Sequence, residues 1–267
     1  MIGHGMVGHK FIESVLEHVG DDVEITILAE EPRLAYDRVH LTEYFSGKSA
    51  KDLTLCRADF ADAYGIDLRL NTKAVAIDQS HKTVTTNHGD VLSFDKLILA
   101  TGSYAFVPPI SGNDRENCFV YRTIEDLDAI RAASLNAKSG VVIGGGLLGL
   151  EAAKALRDLN LETHVVEFAP RLMAVQIDDL GGKVLRAKIE NLGVKVHTQK
   201  ATSSIEEGTA TKHVMKFGDG SELETDIILF SAGIRPRDEL ARQSGLTLGE
   251  RGGITINDYC QTSNPDI

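Results

Sequence analysis

Three glycines at G-x-G-x-x-G spacing, followed by an acidic residue, are the residues of this sequence that point most clearly to chemistry. Gly144, Gly146 and Gly149 follow the strand-like run 141–143 and precede apolar residues at helical spacing. Such a junction lets a pyrophosphate approach the backbone at the positive end of a helix. Glu167, 18 residues past Gly149, stands where a ribose-binding acid belongs. The pattern predicts a dinucleotide-binding β–α–β unit.

The same pattern opens the chain. Gly3, Gly5 and Gly8 repeat the spacing, and Glu30 lies 22 residues beyond Gly8. Only two residues precede Gly3, fewer than the strand that should feed the turn. The helix after this motif is predicted to place a set of apolar residues on its inner face: Val7, Phe11, Val15, Leu16 and Val19.

Later segments repeat as well, since GDVLSFDKLILATG, ending at Gly102, is echoed by GSELETDIILFSAG, ending at Gly233. The chain is therefore predicted to carry two homologous dinucleotide-binding units in series. Two such units suggest two dinucleotides, and the natural pair is FAD, held as a prosthetic group, with NADH as the visiting hydride donor.

Composition excludes several classes of function. The 28 Lys and Arg against 39 Asp and Glu give a net charge of −11 without a basic run, which argues against nucleic acid and against an anionic membrane surface. Apolar runs are too short for a membrane span. Cys56, Cys118 and Cys260 are scattered without a C-x-x-C pair, which favours a reduced, cytoplasmic protein. The nine histidines show no metal-ligand spacing, so no metal is predicted.

The connecting segments suggest a domain boundary. Residues 32–51 read as a long polar loop and 73–99 as short alternating strands. Pro108 and Pro109 stiffen a crossing segment, which marks a plausible boundary. Thr123, three residues before Asp126, resembles a capping box that opens a helix.

On these motifs, together with ATG (100–102), YRTIEDL (121–127) and SAGIRP (231–236), the sequence resembles the pyridine-nucleotide-dependent flavoprotein reductases of the glutathione reductase fold. Over its whole length it also resembles the N-terminal flavoprotein part of the NAD(P)H-dependent nitrite reductase large subunits. The strings that carry this likeness are EPRLAYDRVHL (31–41), ATGSYAFVPPI (100–110), GGGLLGLEAAKAL (144–156) and GGITINDYCQTSNPDI (252–267).

The resemblance implies an α/β protein with two Rossmann-like dinucleotide-binding domains of the glutathione reductase type, in which parallel sheets are accompanied by antiparallel β-meanders. It assigns 1–110 with 234–267 to an FAD-binding domain and 111–233 to an NAD-binding domain. The first domain is expected to be truncated at both ends, because the family's last flavin-binding motif would begin past residue 267. FAD is therefore expected to be weakly held.

The resemblance also assigns site residues. The set implied for FAD is Gly3, Gly5, Gly8, Glu30, Arg38, Thr101, Gly102 and Arg122. The set implied for NADH is Gly144, Gly146, Gly149, Glu167 and Gly233.

Particular roles follow from the family. Glu30 and Glu167 would each bind a ribose, while Arg38 and Arg122 would approach the FAD pyrophosphate. Glu151 matches an acid that lies beside the nicotinamide–flavin contact and is the predicted catalytic residue.

Two departures from the family are visible. Glu43 stands where many relatives have a lysine that pairs with the acid at Glu151. Residues 31–56 lack the cysteine pair of the disulfide reductases of this fold.

The function implied is transfer of hydride from NADH to FAD, with electrons passed to iron–sulfur and sirohaem centres that reduce nitrite to ammonia. Those centres belong to downstream modules of the full subunit, and a small subunit is a further expected partner. Two alternatives stay open at this stage. One is a free-standing rubredoxin or ferredoxin reductase, and the other is a non-catalytic nucleotide-binding redox sensor.

Overall fold

A computed structural model describes residues 1–20 and 22–267, and the chain divides into two units. Unit 1 consists of Met1–Arg38, Ala50–Tyr104 and Arg235–Ile267. Unit 2 consists of Val39–Ser49 and Ala105–Ile234. Assignment of FAD to the first unit and NAD to the second remains a prediction.

Unit 1 begins with a helix and continues through short strands. In chain order its elements are α1 (Met6–Val19), β1 (Thr26–Leu28), α2 (Phe60–Ala63), β2 (Asp67–Arg69), β3 (Ala74–Asp78), β4 (Thr83–Thr86) and β5 (Val91–Ser93). β6 (Ser103–Ala105) follows at the boundary between the units. β1 and β2 pair in parallel, and β3, β4 and β5 form an antiparallel meander. Ile2 bridges in parallel to both Leu28 and Leu99, so the two residues before the first glycine take the central place in this parallel arrangement.

The buried face of α1 differs from the predicted one. Val7 is 77% exposed and Phe11 is 38% exposed, whereas His9 and Ile12 are buried. Ile12 packs in a cluster with Ile27 of β1. The prediction was wrong for Val7, Phe11 and Val19, whereas Leu16 does pack against the cluster that contains Ile12. The periodicity counted apolar residues only, while the helix places a histidine on the same buried side as its isoleucine.

Unit 2 is built around a parallel sheet with helices in its connections. Its elements are β7 (Cys118–Val120), α3 (Ile124–Ser134), β8 (Ser139–Ile143), α4 (Leu147–Asp158), β9 (Glu162–Val166), α5 (Asp179–Asn191), β10 (Val194–His197), β11 (Thr202–Glu207), β12 (His213–Phe217), β13 (Glu222–Thr225) and β14 (Ile227–Phe230). Five strands lie in the order β10-β9-β8-β14-β7, and all four pairings are parallel. β11, β12 and β13 form an antiparallel meander.

The chain then continues through β15 (Ile234–Pro236) and α6 (Glu239–Gln243). Parallel β–α–β units accompanied by antiparallel meanders confirm the predicted α/β fold. The capping box is present, since Thr123 N–H donates to Asp126 at 2.8 Å and Asp126 N–H donates to the Thr123 hydroxyl at 3.2 Å. Within the described ranges, no helix combines the length and the apolar character that crossing a membrane requires.

The loop 39–49 packs with unit 2, although the sequence assigned it to the first domain. It contains a 3₁₀ helix, Leu41–Tyr44. The guanidinium of Arg131 lies 4.2 Å from the centre of the Tyr44 ring, and the Tyr121 hydroxyl donates to Thr42 at 3.2 Å. Aromatic and polar contacts of this kind, which sequence spacing does not reveal, determine where the loop packs.

Candidate functional site

The first glycine loop connects the segment at Ile2 to α1, and each glycine has a distinct reason to be glycine. Gly3 has a φ of +100°, and a Cβ there would lie 2.3 Å from the carbonyl oxygen of Ala100. A Cβ at Gly8 would lie 2.5 Å from the carbonyl oxygen of Gly3. A Cβ at Gly5 would meet nothing within 4 Å. The outer two glycines therefore allow close backbone packing, whereas the middle one faces open space.

The second glycine loop, between β8 and α4, repeats this arrangement. Gly144 has a φ of +120°, and a Cβ there would lie 2.3 Å from the carbonyl oxygen of Ser231. At Gly149 it would lie 1.9 Å from the carbonyl oxygen of Gly144, while at Gly146 it would meet nothing within 4 Å. The same division of roles in both loops is what a dinucleotide pyrophosphate requires.

The helices that follow the loops fit the same ligand. Gly5 and Gly146 are the N-caps of α1 and α4, and neither cap has a side chain that could occupy the first backbone N–H groups. Neither first turn carries an acidic residue. Each loop thus leaves N–H groups and the positive end of a helix dipole for an anion, so the residues present fit FAD and NADH.

A cleft of about 650 Å³ adjoins the second glycine loop, a volume within the ordinary range for ligand pockets. Four of the five predicted NADH residues line it: Gly144, Gly146, Glu167 and Gly233. Lys200 also lines the cleft, and sequence reasoning did not identify it, because the residue belongs to no motif. The structure therefore brings most of the predicted NADH residues to one cavity.

Glu167 holds the second glycine loop in place. Its two carboxylate oxygens accept hydrogen bonds from the backbone N–H of Gly145 at 2.6 Å and of Ala169 at 2.7 Å. A carboxylate oxygen can accept more than one hydrogen bond, so these contacts leave Glu167 able to bind a ribose hydroxyl as well. Glu167 lines the cleft, and its role as the ribose-binding acid remains a prediction.

Arg171 lies close to Glu167 in sequence and is the residue that could have favoured a 2′-phosphate. Its guanidinium instead donates to the carbonyl oxygens of Ile177 at 3.0 Å and Ala174 at 3.1 Å, and to Asp179 at 2.7 Å. It is absent from the lining of the described cleft. These contacts fix the loop before α5 rather than a coenzyme phosphate.

The corresponding acid of unit 1, Glu30, has different partners. It forms ion pairs with Lys73, at 3.1 Å, and with Arg237. Burial raises the pKa of Glu30, but the two cations outweigh burial, and the pKa is lowered overall. Arg38 pairs with Glu31, and its guanidinium lies 4.6 Å from the centre of the Tyr36 ring.

Thr101 and Gly102, the predicted flavin-side residues, are both anchored to the segment that returns to unit 1. The Thr101 hydroxyl donates to the carbonyl oxygen of Arg237 at 2.7 Å, and Arg237 N–H donates to the carbonyl oxygen of Gly102 at 3.0 Å. Gly102 has a φ of +70°, a conformation that favours glycine. Arg237 therefore links the predicted ribose acid with the predicted flavin segment.

The two remaining predicted residues belong to unit 2. Glu151 lies on α4, where burial raises the pKa of its carboxyl and the nearby His40 opposes that effect. The backbone N–H of Arg122 donates to Asp126 at 3.0 Å and so joins the cap of α3. Glu43, at the position of the family lysine, pairs with Lys48.

All three cysteines are free, and two of them, Cys56 and Cys118, lack the properties of a reactive thiol. Burial raises the pKa of Cys118 to about 11 and also raises the pKa of Cys56. A thiol of raised pKa is a poor nucleophile at neutral pH. The structure gives no support to a dithiol electron relay.

Comparisons with known proteins agree with this geometry. The family model for pyridine nucleotide-disulphide oxidoreductases matches residues 1–267. The chain is 55% identical over its whole length to the nitrite reductase (NADH) large subunit of Escherichia coli K12 and spans 32% of the length of that relative. Among solved structures, a NAD-dependent persulfide reductase from A. fulgidus matches with a TM-score of 0.93 and 29% identity, over 99% of this chain and 51% of the other. The water-forming NADH oxidase from Lactobacillus brevis bound to NADH matches with a TM-score of 0.90 and 26% identity, over 99% of this chain and 60% of the other.

Proposed function

The chain belongs to the pyridine nucleotide-disulphide oxidoreductase family, and on that basis we propose that it is the NADH-oxidising flavoprotein module of a nitrite reductase. The observation that carries the proposal is the pair of glycine loops, each with two glycines packed against backbone and one facing open space. The chain spans about a third of its nitrite reductase relative, 32% of the length. We therefore assign nitrite reduction to the longer, full-length protein, and we propose that this module supplies the electrons for that reaction.

The cofactors proposed for this module are FAD and NADH, which together supply hydride transfer followed by release of single electrons. Gly3, Gly5 and Gly8 would hold the FAD pyrophosphate, with Glu30 at its ribose. Arg38 and Arg122 are proposed to approach that pyrophosphate, and Thr101 and Gly102 to line the flavin side.

On the nicotinamide side, Gly146 and the first N–H groups of α4 would hold the NADH pyrophosphate. Glu167 would accept a hydrogen bond from the ribose, and Gly233 would lie at the nicotinamide half. Since a carboxylate repels a 2′-phosphate and Arg171 is engaged elsewhere, NADH is the proposed coenzyme rather than NADPH.

Glu151 is the proposed catalytic residue. Burial raises the pKa of its carboxyl, and functional sites often hold groups with such a shift. Replacing it should slow NADH oxidation without loss of bound FAD. A tenfold slower step corresponds to about 1.4 kcal/mol, a modest electrostatic contribution.

Electrons are proposed to leave the module for iron–sulfur and sirohaem centres in downstream parts of the same protein. A small subunit as a further partner is proposed on resemblance alone. A cytoplasmic location is proposed because the three cysteines are free.

The test is anaerobic addition of NADH to the purified chain supplied with FAD. We expect NADH to bleach the oxidised flavin absorbance rapidly, NADPH to do so poorly, and ferricyanide to restore the colour. Glu151→Gln should bleach about tenfold more slowly, with Glu190→Gln, on the exposed side of α5, as the matched control. In the full-length protein, NADH should support conversion of nitrite to ammonium. A chain that binds both dinucleotides without bleaching would refute the electron-transfer function and favour a redox sensor.

A further inference from the structure

A cluster of three potential metal ligands lies in unit 1, and none of the three is among the residues proposed to contact FAD or NADH. His4 is in the glycine loop, His9 is in the first turns of α1, and Cys56 precedes α2. Their ligand atoms all lie within 4.8 Å of one another. Cys56 is 47 residues past His9 in the sequence, so the fold, rather than a local motif, brings the three together.

Both imidazoles are buried without the partners that buried polar groups normally have. His4 is 8% exposed and His9 is 4% exposed. Among the residues that the structure describes, none forms a hydrogen bond with any of the four imidazole nitrogens. Buried polar groups without partners are unfavourable, so a bound group that occupied one nitrogen of each ring would be stabilising.

The surroundings restrict what that group could be. The Phe60 ring packs against both histidines, with its centroid 4.9 Å from that of His9 and 6.4 Å from that of His4. Cys56 packs against the apolar cluster that contains Phe60 and Ile12. Two imidazoles and one thiol in a small, largely apolar site suit a compact ion better than an organic ligand.

Glu13 provides the group that commonly accompanies a metal-binding histidine. Its Oε1 atom lies 3.4 Å from Nε2 of His9, close but outside hydrogen-bonding geometry. A carboxylate beside a ligating imidazole fixes the tautomer and the orientation of the ring. Glu13 also pairs with Lys10 at 3.1 Å, so it stays on this side of α1.

We propose that His4, His9 and Cys56 bind one Zn²⁺ ion, which would tie the glycine loop and α1 to the segment before α2. Zinc accepts imidazole nitrogen at roughly 2.0–2.1 Å and thiolate sulfur at about 2.3 Å. Small side-chain rotations would bring three ligand atoms that lie within 4.8 Å of one another to those distances. Binding replaces the S–H bond of Cys56 by a Zn–S bond and releases the proton to solvent. The sequence predicted no metal, and this proposal is independent of the proposed electron transfer.

The experiment uses the purified chain after treatment with a chelator and dialysis. Zn²⁺ is titrated by calorimetry, and bound metal is counted by elemental analysis. We expect one zinc per chain, about one proton released per zinc in weak buffer, and a raised thermal unfolding temperature. Co²⁺ as a spectroscopic probe should give a thiolate charge-transfer band in the difference spectrum.

Two variants and two matched controls locate the site. Cys56→Ser and His9→Gln should weaken Zn²⁺ binding by more than about 100-fold, because loss of a ligand exceeds the roughly 10–100-fold effect of losing an outer-shell partner. Cys260→Ser removes an exposed free thiol, and His18→Gln removes an exposed histidine from the same helix. Both controls should bind zinc as the wild type does.

The proposal is overturned if the wild type binds no zinc, which would leave the imidazoles to a buried water. It is equally overturned if Cys56→Ser binds zinc within about threefold of the wild type, because the metal would then sit elsewhere. If His9→Gln fails to fold, Cys56→Ser decides alone, since serine is close to cysteine in size. NADH oxidation is not among the readouts, so failure here leaves the proposed function standing.

Discussion

Replacing Gly146 by alanine separates ligand binding from folding in unit 2. Gly146 has φ −80° and ψ −176°, which any residue can adopt, and a Cβ there meets nothing within 4 Å. Alanine should stabilise the fold by about 0.4–1 kcal/mol because it reduces the conformational entropy of the unfolded chain. It is also a poorer N-cap than glycine, which costs a similar amount, so the free energy of unfolding should change by less than about 1 kcal/mol. Gly149→Ala, by contrast, should strongly destabilise unit 2, because its Cβ would lie 1.9 Å from the carbonyl oxygen of Gly144.

The same methyl group should strongly weaken NADH binding. Gly146 lines the cleft, and the methyl would stand between a pyrophosphate and the N–H groups of α4. Loss of one hydrogen bond to a charged group costs about 1.5–3 kcal/mol, which weakens binding roughly 10- to 150-fold. The expected result is a KM for NADH raised at least about tenfold, with bound FAD unchanged.

Gly5→Ala is the reciprocal variant, because Gly5 is the open position of the first loop. It should lower the amount of FAD bound per chain, while calorimetric binding of NADH stays close to the wild-type value. The assays are NADH-dependent ferricyanide reduction, flavin absorbance per chain after dialysis, and thermal unfolding of each variant. If Gly146→Ala unfolds like the wild type and leaves the KM for NADH within twofold, the assignment of the second loop is wrong.

Three further predictions concern coenzyme choice, cysteines and pH. Glu167→Ala should weaken NADH binding roughly 10- to 150-fold. It should also destabilise unit 2, because the variant leaves two backbone N–H groups without their acceptor. Equal catalytic efficiency of the wild type with NADH and NADPH would contradict the role of Glu167. The double variant Cys118→Ser/Cys260→Ser should retain NADH-driven ferricyanide reduction, and loss of most activity in a folded variant would reveal a redox thiol. The ring centroids of His164 and His197 lie 5.2 Å apart, and burial lowers the pKa of both imidazoles. Because the unfolded chain binds more protons than the folded chain below about pH 6.5, the free energy of unfolding should decrease as the pH is lowered, by up to about 1.4 kcal/mol per pH unit for each group. Urea unfolding at pH 7.5 and 5.5 should show this loss, and His197→Asn should reduce it.

Local patterns predicted the parts of the site that depend on nearby residues. Gly144, Gly146 and Gly149 could be recognised because all three lie in one short segment, where β8 ends and α4 begins. Glu167 could be placed because the length of one helix and one strand sets its distance from the loop. The role of Arg171 could not be predicted from sequence, since it depends on which carbonyl groups the guanidinium reaches.

Features that depend on distant contacts escaped prediction. Placement of the loop 39–49 with unit 2 depends on ring and hydroxyl contacts with residues about 80 positions away, as the Thr42–Tyr121 contact shows. The inward turn of His9 was missed because a hydrophobic periodicity assigns no weight to a buried histidine. Cys56 joins His4 and His9 only through the packing of unit 1.

The residue between the first two glycines shows how the two loops have diverged. In the second loop a Cβ at Gly145 would lie 2.6 Å from Leu172 and 3.0 Å from Glu167, because the acid turns inward to accept the Gly145 N–H. In the first loop the corresponding residue is His4.

A histidine fits there because the acid of unit 1 turns elsewhere. Glu30 pairs with Lys73 and Arg237, and among the described residues it accepts no hydrogen bond from the first glycine loop. The first loop therefore lacks the carboxylate anchor of the second and places a buried imidazole at the same position. A metal bound by His4, His9 and Cys56 would supply the missing anchor. The second glycine loop is thus held by the carboxylate of Glu167, and in our proposal the first is held by zinc.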